Sequence, residues 1–141
     1  MAEVTVTKTI KVDADTTWNA IRAIGGLDRW FPIITSCEVK GSGAGARRTC
    51  ILDGGITLLE QIDSIDDQAR VLKYSIVESP LPITDYKGRV EVRAAGQGRS
   101  SVTWSSAFGV DGAQESELTG MLDKAFSDGI AGLEANLRRA R

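Results

Sequence analysis

The sequence predicts a two-layer α+β domain, a curved seven-stranded antiparallel sheet around a long C-terminal helix, with one or two short helices after strand 1. Three observations carry this reading. Six strand-like runs follow one another through the middle of the chain, separated by hairpin-type breaks. Residues 114–139 repeat apolar side chains every three or four positions, as an amphipathic helix does. A sheet and a single helix, each with one apolar face, bury those faces against each other. The 141 residues fit one domain, 1–141, and a chain of this size buries about 68–70% of its unfolded surface without covalent staples.

Residues 3–12 read as the first strand. Val4, Val6, Ile10 and Val12 share one parity, and threonines and Lys11 occupy the other. Lys8 interrupts the apolar side, which marks a bulge, a strand end or a polar group facing inward. The segment DADTTWNAIRAIGG reads as a helix with Asp13 as N-cap. Trp18, Ile21 and Ile24 form its apolar face, and Gly25-Gly26 supplies the left-handed turn that ends it. A short turn or helix at 27–30 follows. The strand runs are 34–40, 46–53, 56–65, 70–78, 84–95 and 99–110. Their breaks are GSGAG, DGG, DDQA, PLP and GQG, rich in residues that tolerate tight turns. In the last helix, Gly120, Gly129 and Gly132 weaken the helix or let another element approach closely.

Composition removes several functions. The net charge is −2, without the basic face of a nucleic-acid binder. No run approaches the roughly 18 apolar residues of a membrane span, and the first residues lack the apolar core of a signal peptide, so the expected location is cytoplasmic. Cys37 and Cys50 form no CxxC pair; two free thiols suit a reducing compartment, and nothing demands a disulfide between them. There is no histidine. Histidine-based nucleophile systems and metal sites are therefore absent, and any acid–base chemistry falls to carboxylate, tyrosine, lysine or thiol. No metal or cofactor is expected. GSGAG lacks both the GK[ST] ending and the strand–helix setting of a phosphate loop and reads as a hairpin.

Strand parity then says which polar groups share the core face. The inward sets are Arg48, Cys50 and Leu52; Ile56, Leu58, Glu60 and Ile62; Tyr86, Val90 and Val92; and Val102, Trp104, Ser106, Phe108 and Val110. Asp85, Lys87, Arg89, Glu91 and Arg93 face water. Arg48, Glu60 and Tyr86 are thus polar groups on apolar faces, and an unpartnered buried carboxylate is costly. Arg48 can pair with Glu60, and the Tyr86 hydroxyl can join them. Two readings of this set stand side by side: a buried pair that fixes strand register, with Tyr86 a satisfied core tyrosine, and a polar anchor at a cavity wall. Burial raises a carboxyl pKa and a neighbouring arginine lowers it, so sequence does not decide whether Glu60 serves as an acid or base. Cys50 lies on the face of Arg48, and a nearby cation favours a thiolate, although a buried inert thiol is the simpler reading.

Four segments also carry a resemblance: TTWNAIRAIGGLDRWFP (16–32), GAGARRTCILDGG (43–55), LLEQIDSIDDQARVLKYSIVESPLPITDY (58–86) and VTWSSAF (102–108). In order and spacing they resemble the START-like, birch-pollen-allergen-like helix-grip superfamily, also called SRPBCC, and within it the polyketide cyclase/dehydrase branch. The resemblance spans essentially the whole chain and implies the helix-grip fold. The Glu60 and Tyr86 pairing is similar to that of the plant abscisic-acid receptors, where such residues bind the hormone through polar contacts and water. The loops at 53–55 and 80–82 match the receptors' gate and latch; the characteristic gate residues are missing, so hormone sensing is not implied. The set Arg48, Glu60 and Tyr86 is similar to one in lachrymatory-factor synthase, where it serves a sulfenic-acid rearrangement.

The resulting expectation is a protein that binds a small hydrophobic molecule of lipid, polyketide or aromatic type between sheet and C-terminal helix. Arg48, Glu60 and Tyr86 are the expected anchors. Leu58, Ile62, Val90, Trp104, Phe108, Leu122 and Phe126 are the expected wall, with Leu81 as a lid residue. The alternative is a cofactor-free cyclase, dehydratase or isomerase with Glu60 as acid/base and Arg48 and Tyr86 assisting. A third possibility is a module whose lid loops report occupancy to a partner protein.

Overall fold

The computed structural model describes residues 1–140. Its elements run β1 (Ala2–Ile10), α1 (Ala14–Arg22), a 3-10 turn (Leu27–Arg29), β2 (Ile34–Lys40), β3 (Arg47–Leu52), β4 (Thr57–Asp66), β5 (Val71–Glu78), β6 (Ile83–Ala94), β7 (Ser100–Val110) and α2 (Gly112–Arg139). The strands form one sheet in the order β1-β7-β6-β5-β4-β3-β2, antiparallel throughout. Strands β2 to β7 are a meander, the economical pairing for successive strands. β1 closes the far edge by pairing with β7. The helix α2 packs along β1 and β7, so the opposite part of the sheet, β3 to β6, curves over a space beside it. This is the helix-grip arrangement.

Local sequence explains most boundaries. The Asp13 carboxylate accepts from the Thr16 backbone N–H at 3.0 Å and caps α1. Asp111 caps α2 by accepting from Ala113, so this helix starts two residues earlier than its apolar periodicity suggests. The 66–69 turn closes without glycine: one Asp66 oxygen accepts from the Gln68 and Ala69 N–H groups, and Arg70 takes a φ of 55°. One boundary differs from expectation. The left-handed residue that ends α1 is Ile24, with φ 59°, before the glycine pair; of that pair Gly26, φ 76°, is left-handed and Gly25 is not. A β-branched residue there is strained, and what holds it emerges at the site.

Lys8 points inward. It bridges the two layers, its ammonium donating to the Ser127 carbonyl of α2 at 3.1 Å, while its stem lies along apolar surface. Gly88, Gly129 and Gly132 are contact points. A Cβ on Gly88 would overlap the Tyr74 ring, which lies flat over β6. A Cβ on Gly129 would overlap Phe31, and one on Gly132 would overlap the Trp30 carbonyl oxygen. The helix thus comes down onto residues 30–32 at Gly129 and Gly132. Gly120 meets nothing.

These three glycines give opposite expectations. Gly88→Ala and Gly132→Ala should each destabilise the fold by about 1–3 kcal/mol through overpacking. Gly120→Ala, on open helix surface, should stabilise it by up to about 1 kcal/mol. Urea unfolding of the three variants tests this, and a common sign for all three would contradict the packing described.

Candidate functional site

The β3–β4 register sets Arg48 directly opposite Glu60, both on the inner face. The Arg48 side chain is 4% exposed and the Glu60 side chain 11%. The guanidinium Nε and Nη2 both lie 2.7 Å from Glu60 Oε1, and Nη1 donates to the Ile24 carbonyl at 2.9 Å. That third bond accounts for the strained Ile24: its left-handed backbone turns the carbonyl onto a buried cation. The guanidinium carbon also sits 5.4 Å from the centroid of the Tyr74 ring, a cation–π distance. Burial is the largest influence and works against the charged Arg48, but Glu60, Cys50 and Tyr74 together outweigh it and the arginine pKa ends up raised. Both contacts to Glu60 fall on Oε1. No protein donor among the described residues reaches Oε2.

Glu60 lines a cavity between the sheet and α2. Its volume is about 70 Å3, enough for about five waters. Of the expected anchors, Arg48, Glu60 and Tyr86 all line it. Of the expected wall, Leu58, Leu81, Trp104, Leu122 and Phe126 line it. Ile62, Val90 and Phe108 do not. Their parity is inward as expected, but they sit too deep along their strands. Ile62 is wholly buried. Val90 shares a separate, smaller gap with Ile21, Trp30 and Leu72. Phe108 stacks on Tyr86, ring centroids 5.8 Å apart, and supports that ring from behind.

Sequence reasoning missed Tyr74, Ile76 and Ile83 of β5 and β6, Phe31 after the 3-10 turn, and Leu118 and Met121 of α2, all of which line the same cavity. For Tyr74 and Ile76 the signal was available, since Leu72, Tyr74 and Ile76 alternate along β5 like the other inward sets. Tyr74 is the more consequential. Its hydroxyl accepts from the Trp104 indole N–H at 3.0 Å and lies 3.3 Å from the Tyr86 hydroxyl. Arg48, Glu60, Tyr74, Tyr86 and Trp104 therefore come one each from five consecutive strands, β3 to β7, and form a polar row across an apolar wall.

Burial, chiefly, pushes the Tyr86 phenol up to about 12 and raises that of Tyr74 as well. Both hydroxyls remain protonated donors at neutral pH. The sulfurs of Cys37 and Cys50, register partners across β2 and β3, lie 3.6 Å apart with the Cys50 thiol donating. That bond and burial raise the Cys50 pKa. The cation at Arg48 therefore does not make Cys50 a thiolate.

A tyrosine titrates near 10 when unfolded and Tyr86 near 12 when folded. The folded state thus holds this proton more tightly. The associated stability is complete below about pH 10 and is lost as pH rises from there towards 12. Urea unfolding across that range should show the decline, and Tyr86→Phe should lessen it, with Tyr74 supplying part of what remains; an equal decline in that variant would assign the loss to other groups.

The whole arrangement has relatives. A family described as polyketide cyclase / dehydrase and lipid transport matches residues 1–139. The XoxI protein of Bacillus cereus is 26% identical, with a TM-score of 0.87 over 97% of this chain and 96% of that one. An uncharacterised protein of Bacillus thuringiensis is also 26% identical, with a TM-score of 0.86 over 96% and 98%. The ZhuI aromatase/cyclase of Streptomyces sp. R1128 shares 18% identity, 99% and 95% coverage and a TM-score of 0.81, a likeness of fold. No curated protein matches the sequence. With a family model covering nearly every residue and the helix-grip sheet and helix in place, the chain belongs to the polyketide cyclase/dehydrase and lipid transport family.

Proposed function

We propose that this protein binds a small, mainly apolar, uncharged molecule in the cavity between sheet and α2, with its polar end at Glu60 and Tyr86. The observation that carries the reading is the division of labour at Glu60: one oxygen is committed to Arg48, and the other has no protein donor while the residue lines an apolar cavity. A few convergent polar groups in an apolar pocket are what orient a small ligand. Arg48 and Glu60 neutralise each other, so the site favours a neutral hydroxyl or carbonyl over an ion. The closed volume is small. A ring-sized ligand needs the 79–82 loop with Leu81, or Met121 and Leu122 of α2, to give way. The family's own description, covering both lipid transport and polyketide chemistry, agrees with an apolar cargo. In this reading Arg48 positions Glu60 and does not itself touch the ligand, and the protein works in the cytoplasm without nucleic acid, membrane or cofactor.

A second reading, a cofactor-free cyclase, dehydratase or isomerase, draws on the same oxygen. A carboxylate oxygen left open to the cavity, with a protonated phenol nearby, can move a proton within a bound substrate. The fold neighbour ZhuI is an aromatase/cyclase.

Native mass spectrometry of gently purified protein is the test of binding: a defined small-molecule adduct is the expected result, and a chain that never carries or takes up an apolar molecule would overturn the proposal. Arg48→Met should lose about 3–5 kcal/mol of stability, because it strands the Glu60 charge. Arg48→Met combined with Glu60→Leu should recover most of that and still lose the adduct. A double variant that keeps the adduct would reduce the pair to a device for strand register. Glu60→Gln separates carrier from enzyme, since a carrier should keep its affinity within a modest factor whereas an enzyme should bind substrate but not turn it over.

A further inference from the structure

The Tyr74 hydroxyl has no role in the reading above, yet it lies between two other polar groups in the most apolar part of the wall. An indole N–H can only donate. The Trp104 N–H at 3.0 Å therefore occupies the Tyr74 oxygen as an acceptor. Tyr74 still has its own proton to place, and it is 3% exposed. The Tyr86 oxygen, 3.3 Å away, is the acceptor within reach. A Tyr74 proton sent elsewhere would be buried without a partner, which native structures avoid. The chain of donation therefore runs one way, from Trp104 to Tyr74 to Tyr86. The far end is also furnished. Ser106, beside Trp104 on the inner face of β7, has a buried hydroxyl with no hydrogen-bond partner. The oxygen its proton can serve is that of Tyr86, a contact that favours the ionised phenol. Tyr86 thus accepts from Tyr74, stands beside the Ser106 hydroxyl, and keeps its own proton to place at the cavity it lines.

We propose that Tyr74, oriented by the Trp104 indole, is a positioning residue that turns the Tyr86 hydroxyl proton towards the cavity, so that the site selects molecules presenting a carbonyl-type acceptor there. This rests on the ligand-binding reading and narrows it: the polar end of the ligand brings an acceptor to Tyr86 and, where it carries a hydroxyl or enol, gives that proton to Glu60 Oε2. A phenol whose oxygen already accepts a hydrogen bond is a better donor, so the relay strengthens the contact as well as aiming it. Gly88 is what makes room for the Tyr74 ring to lie across β6 and reach both partners.

The direction of the relay can be read without any ligand. The chain contains two tyrosines, so protein labelled with 3-fluorotyrosine gives two fluorine signals, and Tyr74→Phe leaves only that of Tyr86. If Tyr74 donates to Tyr86, its removal takes away a bond that favours the Tyr86 phenolate, and the Tyr86 titration midpoint rises. A midpoint that falls or stays put overturns the assigned direction. The ligand half is tested by the affinities of acetophenone and ethylbenzene, matched in size and differing in the acceptor. The ratio of the two should drop about tenfold in Tyr86→Phe, the worth of one hydrogen bond, and roughly two- to fivefold in Tyr74→Phe, with ethylbenzene unaffected. A ratio unchanged in Tyr74→Phe overturns the positioning role. Failure of wild-type protein to bind either probe overturns the ligand-binding reading itself, while the fluorine titration still judges the relay.

Discussion

The buried Arg48–Glu60 pair is the constraint on which the rest of this wall depends. Two opposite charges removed from water cost more than their mutual attraction returns unless every polar atom is served. Here the guanidinium spends its donors on Glu60 Oε1 and the Ile24 carbonyl and lays its face towards Tyr74. Satisfying the cation shapes its surroundings. Ile24 accepts a left-handed backbone that a β-branched residue resists, and this sets where α1 ends and where the following turn descends to Trp30 and Phe31. Those residues then meet the glycines of α2. A charge on β3 is in this way linked to the seat of the C-terminal helix.

The same pair sets the character of the cavity. Arg48 neutralises Glu60 and occupies only one of its oxygens, so the site keeps a strong acceptor without a net charge. Across the next three strands, Tyr74, Tyr86 and Trp104 provide donors in an order that the indole imposes. The polar groups lie along one row, and the remainder of the lining is aliphatic or aromatic. Under the proposed binding role, such a surface would distinguish molecules by the placement of one acceptor and one donor and tolerate variation in the apolar remainder. That tolerance fits a family whose description joins lipid transport with polyketide chemistry.

Much of this was legible in the chain. The alternation of β3, β4, β6 and β7 put Arg48, Glu60, Tyr86 and Trp104 on the inner face, because a strand has a period of two and a charge on the wrong parity stands out. Lys8 stood out in the same way, and only the structure showed its ammonium on the Ser127 carbonyl. Alternation has no measure of depth. Ile62, Val90 and Phe108 are inward like Leu58 and Trp104, yet they fall below the cavity because the sheet curves and α2 covers one end of it more closely than the other. Tyr74 shares its parity with Leu72 and Ile76 and passes for an ordinary core residue until Trp104, thirty positions later, is seen beside it.

The sequence by itself determined the order of elements, the cap residue at Asp13, the inward faces and the family, since these follow from local periodicity and short-range hydrogen bonding. The tertiary structure decided which inward groups meet. Contacts between Arg48 and Ile24, Tyr74 and Tyr86, or Gly132 and Trp30 depend on sheet register, twist and the approach of α2, which residues far apart in the chain set together. The open oxygen of Glu60 and the direction of the tyrosine relay belong to that second class, because each is fixed by which donors the completed fold brings within hydrogen-bonding distance.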